Sequence, residues 1–217
     1  MKMRSRTACG KLRDMTDRSE VLFIGGRSGV GKTSAALALH AELARRDIRH
    51  AVIDGDNLDL AYPVPWEHHL AEKNLAAIWT NYRTFGYRRL IYVNTVSVIE
   101  SETLARAMGD DPTITSVLLR ASDEQTDERL AQREHGIELA RHSNRSRVAA
   151  VRLDDEAPST VHRIETDGLG IPEVAKIIVD ILGWRPAATR TDYIELYSTV
   201  ASATSVSSQT WCSNRAH

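Results

Sequence analysis

Residues 26–33 read Gly-Arg-Ser-Gly-Val-Gly-Lys-Thr and fit the pattern G-x-x-x-x-G-K-[ST], which carries meaning only between a strand and a helix. Both neighbours are present. Val21-Leu22-Phe23-Ile24 is an apolar run of strand length, and residues 34–44 read as a helix. The glycines allow backbone N–H groups to turn inward around phosphate oxygens, and the following helix N-terminus adds partial positive charge at the same place. Gly26, Arg27, Ser28, Gly29, Val30, Gly31, Lys32, Thr33 and Ser34 are therefore candidate nucleotide-binding residues. Lys32 is expected to reach the terminal phosphates, and the Thr33 hydroxyl to hold Mg2+.

A chain of 217 residues has room for one α/β domain with a substantial core. Its formal net charge of −1 offers no global field for nucleic acid or an anionic membrane. The two cysteines, Cys9 and Cys212, lie one in each tail without metal-ligand spacing, which suits a reducing compartment. The apolar runs are strand-sized, and the basic N-terminus lacks an apolar stretch of the secretory kind. A cytoplasmic protein, monomeric or homodimeric, is the expectation.

Along the chain, residues 1–19 are polar and basic and read as a disordered extension. Met15 is a second possible start of translation. Residues 50–53 form a second strand ending in Asp54-Gly55-Asp56-Asn57. Carboxylates at such a strand end face the edge where open α/β sheets bind ligands. Asp54 is a candidate to take a proton from an attacking hydroxyl or to hold Mg2+ through water. Asp56 is a candidate for the same work or for binding the acceptor. Asp-Gly is also a good turn former in its own right. The Pro-broken segment with Trp66, His68 and His69, about Tyr62–His69, reads as a lid over an acceptor, and its histidines lack metal-ligand spacing. Residues 74–85 read as a helix with a core stripe, ended by Gly86.

Residues 89–93 form a third strand that ends in Asn94-Thr95, where a hydrolytic motor usually carries an acidic residue. Ser101 is expected to cap a helix over residues 102–108. Residues 113–119 form the fourth strand. Ser122 begins a helix carrying Arg129 and Arg133, four apart and so on one face, suited to stacking on adenine and clamping phosphate. Gly136 interrupts that helix. Residues 137–152 then carry Arg141, Arg145, Arg147 and Arg152, the pattern of a lid over a triphosphate, with a solvated charged helix as the plainer reading. A fifth strand at residues 161–166 leads through Asp167-Gly168 to a helix over residues 171–182. Residues 185–217, rich in Ser, Thr and Ala, read as mostly disordered.

These pieces resemble the P-loop small-molecule kinases over about residues 20–184, with a lid at about 134–153. The Asp54–Asn57 segment is similar to the Asp-Gly-Asp-Asn motif of adenylylsulfate kinases. Residues 128–133, Glu-Arg-Leu-Ala-Gln-Arg, resemble the lid entrance of adenylate kinases. That resemblance implies Arg129 against adenine, and Arg133, with a lid arginine such as Arg141, on the phosphates. Thr166-Asp167-Gly168 resembles the adenine-side loop of the gluconate-kinase and tunicamycin-resistance-type proteins, implying that Asp167 and Gly168 bind the nucleotide. The implied fold is a P-loop NTPase three-layer α/β sandwich, its five-stranded parallel sheet in the order 2-3-1-4-5, with a helical arginine-bearing lid. The implied activity is transfer of the γ-phosphoryl of Mg-ATP to a hydroxyl of a small molecule. Leu58 and Asp59 follow the Asp-Gly-Asp-Asn motif where adenylylsulfate kinases carry a basic residue, and residues 60–70 are poor in arginine. The expected acceptor is therefore polar and weakly charged, such as an uncharged sugar-like compound or an antibiotic. The competing reading is a nucleotide-dependent switch, or a slow ATPase, with no acceptor.

Overall fold

The five strands of the sheet are β1 (Glu20–Gly25), β2 (Ala51–Asp54), β3 (Arg89–Val93), β4 (Thr113–Arg120) and β5 (His162–Glu165). All pairings are parallel, and the order is β2-β3-β1-β4-β5, as the resemblance implied. The computed structural model describes residues 18–63, 66–132 and 135–186. The basic arm, both cysteines, Arg133 and the tail from residue 187 lie outside the described residues. Arg18 and Ser19 are already tied to the strand ends: Ser19 Oγ donates to Asp110, and Thr113 N–H donates to the Ser19 carbonyl at 2.8 Å.

The apolar run of β1 is continuous because both faces of the sheet are covered. Leu22 and Ile24 face one side, packing with Leu39 and Leu43 of α1 (Lys32–Arg45) and Ile178 of α6 (Ile171–Leu182). Val21 and Phe23 face the other, packing with Leu75 and Trp79 of α2 (Leu70–Thr84) and Leu104 of α3 (Ser101–Met108). A smaller cluster joins Val98, Leu118 and Leu153, the last on α5 (Gly136–Glu156). α4 (Asp123–Ala131) packs against α5. Among the described residues no helix is long and apolar enough to cross a membrane.

Several boundaries differ from the sequence reading. Ser101 does not cap α3: it lies inside the helix and is buried, and Glu100 holds the cap position without a side-chain bond. α2 begins at Leu70 rather than residue 74, one turn before the stripe of Leu75 and Trp79 that marks it in the sequence. Gly136, at φ +64°, opens a 21-residue helix rather than interrupting one. Gly86 does end α2, at φ +82° with its N–H on the Arg83 carbonyl.

The strand order reverses direction at β1, whose neighbours β3 and β4 lead to opposite edges. The loop after β1 therefore opens at the switch point, outside the carboxyl ends of the strands, where such sheets bind ligands.

Candidate active site

The loop from Gly26 to Gly31 holds three left-handed glycines, at φ +144°, +84° and +99° for Gly26, Gly29 and Gly31. Gly26 has a second constraint, since a Cβ there would lie 2.6 Å from the Leu119 carbonyl oxygen of β4. Lys32, 9 % exposed, crosses back over the loop and donates from Nζ to the Arg27 carbonyl at 3.2 Å. Burial pushes its pKa down, while the charges of Asp56 and Asp54 oppose the shift. With Ser28, Thr33, Ser34 and Arg129, Lys32 lines a cavity of about 350 Å3 at the N-terminus of α1. The dipole of that helix and the inward N–H groups make it an anion site.

Arg27 is the residue whose role the sequence concealed. It belongs to the phosphate loop, yet its guanidinium is 4 % exposed and turns away toward α4 and α5. It forms an ion pair with Asp123 and donates to Ser146 Oγ at 2.9 Å, and Ser146 in turn donates to the Ser28 carbonyl at 2.8 Å. Arg147 also reaches Asp123 at 3.3 Å. The bond from Arg27 holds the Asp123 carboxyl below its usual pKa. Arginine inside the loop thus acts as a bolt between the cradle and the helix of the expected lid. A variable position of the motif gives no sequence signal for this.

Arg129 lines the cavity at the loop and donates to the carbonyls of Gly29 and Val30 at 3.4 and 3.2 Å, braced by Gln125 at 2.7 Å.

Asp54 and Asp56 have different surroundings. Asp54 Oδ1 accepts the Asp56 N–H at 3.1 Å and so caps the short 3-10 turn at Gly55–Asn57. Asp56 accepts from Asn94 Nδ2 at 2.7 Å, and the Asn94 amide is oriented by Val96 N–H on its oxygen at 2.9 Å. Burial raises the Asp56 pKa, the Lys32 charge opposing it and Asp54 and Asp59 adding to it. Asp56 lines the cavity at the loop and also a second one, of about 630 Å3. That second cavity is walled by Asp59, His69, Glu72, Tyr92, Glu100 and Arg152, among others. Gly55 permits the approach of its floor, because a Cβ there would fall on the Tyr92 phenol.

The remaining candidates fall elsewhere. Arg141 is exposed and paired with Glu138 at 3.1 Å, lining neither cavity. The Asp167 carboxylate accepts the Ser122 N–H at 3.0 and 3.1 Å, tying the end of β5 to the start of α4. It borders a separate cavity of about 420 Å3 with Arg27, Arg120 and Asp123. Gly168, at φ +75°, faces open space. Thr33 is exposed at the first turn of α1. Its hydroxyl and the nearby carboxylates are hard oxygen donors, the kind Mg2+ takes while keeping phosphates and water as its other ligands. Among the described residues no three His, Cys, Asp or Glu side chains are grouped to hold a metal by themselves, and a phosphate-bound Mg2+ needs no such group.

Residues 18–107 match the family model described as adenylylsulphate kinase. No curated protein matches. Among solved structures, the tunicamycin resistance protein of Deinococcus radiodurans is 24 % identical, covering 79 % of this chain and 100 % of that one, with a TM-score of 0.56. Shikimate kinase from Bacteroides thetaiotaomicron is 15 % identical, covering 76 % and 99 %, with a TM-score of 0.54. A sugar kinase from Janibacter is 16 % identical, covering 79 % and 99 %, with a TM-score of 0.53. The chain has the fold of the P-loop small-molecule kinases.

Proposed function

We propose that this chain, built on the fold of the P-loop small-molecule kinases, is a phosphotransferase that moves the γ-phosphoryl of Mg-ATP to a hydroxyl of a small molecule. One observation carries the reading. Asp56 lines both the phosphate cavity and the larger cavity beside it, so a single carboxylate faces donor and acceptor at once. A switch or a simple ATPase has no use for the second cavity.

In this reading the triphosphate lies along the loop N–H groups, with Lys32 and Arg129 on its oxygens. Thr33 and Asp54, the latter through water, would hold Mg2+, which would neutralise charge on the phosphates. The acceptor hydroxyl sits in the larger cavity against Asp56. Its oxygen forms a bond to the γ-phosphorus as the bond from phosphorus to the β,γ-bridging oxygen breaks. The electron pair of that bond leaves with ADP, and the hydroxyl proton passes to Asp56. Asn94 keeps the Asp56 carboxylate aimed across the gap. Positioning and charge neutralisation supply most of the rate, as phosphoryl transfer requires. Arg133 and Arg141 are retained as candidate lid cations that approach the phosphates on closure.

The test is transfer of labelled γ-phosphoryl from ATP across a panel of hydroxylated metabolites and antibiotics. Label is expected on an acceptor, and is expected to be lost in Asp56→Asn. Label appearing only as inorganic phosphate, unchanged by Asp54→Asn and Asp56→Asn, would establish the ATPase reading instead.

A further inference from the structure

The larger cavity is lined by four carboxylates from separate parts of the chain: Asp56 and Asp59 after β2, Glu72 in the first turn of α2, and Glu100 before α3. The basic side chains on its wall are Arg152 and His69, and both have acidic partners. Arg152 Nε donates to both Glu156 oxygens at 3.1 and 3.0 Å, and His69 Nδ1 lies 3.3 Å from Glu72. The Glu100 carboxylate makes no hydrogen bond among the described residues, and its pKa is pushed up by burial and by the charges of Glu72 and Asp59, with the Arg152 charge opposing. Tyr92 points independently to a ligand in this cavity. It is 2 % exposed and lines the same cavity, and its hydroxyl has no hydrogen-bond partner among the described residues. That hydroxyl opens to the cavity rather than being sealed in the core, and is placed to bond with an occupant.

We propose that the acceptor is a hydroxylated amine, an amino sugar or aminocyclitol in chemical class, whose ammonium group lies between Glu72 and Glu100 while its hydroxyl meets Asp56. This rests on the phosphotransferase reading and names the substrate class of its second cavity. An ammonium relieves the repulsion among four carboxylates, whereas an anionic acceptor adds to it. The weakly charged acceptor expected from the sequence leaves that repulsion standing. Tyr92 gives the bound molecule one further hydrogen bond at the cavity floor.

The experiment titrates matched pairs into the full chain saturated with Mg-ADP: glucosamine against N-acetylglucosamine, and 2-deoxystreptamine against its di-N-acetyl form. Calorimetry reads affinity, and transfer of labelled γ-phosphoryl from ATP is followed on the same compounds. The amine of at least one pair is expected to bind about tenfold tighter or more, as one charged hydrogen bond is worth. Glu72→Gln with Glu100→Gln is expected to erase that advantage, with circular dichroism confirming the fold. Equal or tighter binding of the N-acetyl members, an advantage that survives the double substitution, or no binding by any member would overturn the inference. Label transferred in preference to neutral hydroxyl compounds would overturn it while leaving the phosphotransferase reading intact. Label passing only to water would remove the reading beneath it.

Discussion

The two cavities joined at Asp56 are built by different means. The smaller one, proposed for the nucleotide, is built mainly on one continuous stretch of chain, residues 26–34, and offers backbone N–H groups, a helix dipole and Lys32, with Arg129 added from α4. The larger one, proposed for the acceptor, is made from side chains delivered by the ends of β2 and β3, the start of α2, the approach to α3 and the far end of α5, and it is acidic. A site that uses backbone can be written in a short motif. One that uses side chains from five places exists only after folding, and its chemistry is free to change without disturbing the cradle.

Substitutions can separate the two. The largest effect is expected on the donor side: Lys32→Ala removes the buried ammonium and should abolish detectable transfer, along with any ATP hydrolysis, in a coupled ADP-release assay. At the junction, Asp56→Asn should lower kcat by roughly 10²–10⁴, the range of a lost general base, while ATP affinity by calorimetry holds. An equal loss of ATP affinity would move Asp56 wholly to the donor side.

Arg27→Met tests whether the loop and α5 are one unit. It removes bonds to Asp123 and Ser146 from a guanidinium that is almost wholly buried. Unfolding stability should fall by about 2 kcal/mol, as for hydrogen bonds to a charged group, in urea denaturation. An unchanged midpoint would show that the helix seats without the bolt.

The smallest effect concerns a pair remote from both cavities, where His40 on α1 meets His50 just before β2. His50 Nδ1 lies 2.7 Å from the Ile48 carbonyl and so must carry the proton, leaving Nε2 to accept from His40 Nδ1 at 2.9 Å. Burial lowers the His50 pKa below its usual 6.5. The folded state therefore binds this proton less readily than the unfolded chain, and stability should fall as pH drops below about 6.5. Thermal melts between pH 7.5 and 5.5 should show this, and His50→Asn should flatten the slope.

Much of the fold could be read directly, because continuous apolar runs, Gly punctuation and the Gly-Lys-Thr loop are local signals. β3 and α6 begin and end where their patterns do. The phosphate loop and the Asp54–Asn57 turn were legible for the same reason. Arg27 was not, since its partners Asp123 and Ser146 lie about a hundred residues away in sequence. Nor was the acidic cavity, since Glu72 and Glu100 look like ordinary helix-start acids until folding sets them across from Asp56. Tyr92 reads as one more core residue of a buried strand, and only Gly55 beneath it hints at the close approach. Arg141 shows the converse: helical spacing marks a face without saying what that face meets, and here it meets Glu138 and solvent.

The account stands or falls on whether Asp56 links a donor to an acceptor. The direct measurement is the partition of labelled γ-phosphoryl between hydroxylated amines and water, for the wild-type chain and for Asp56→Asn. The account predicts label on an acceptor in the wild type and its loss in the variant. Label released only to water, at the same rate in both, would contradict it.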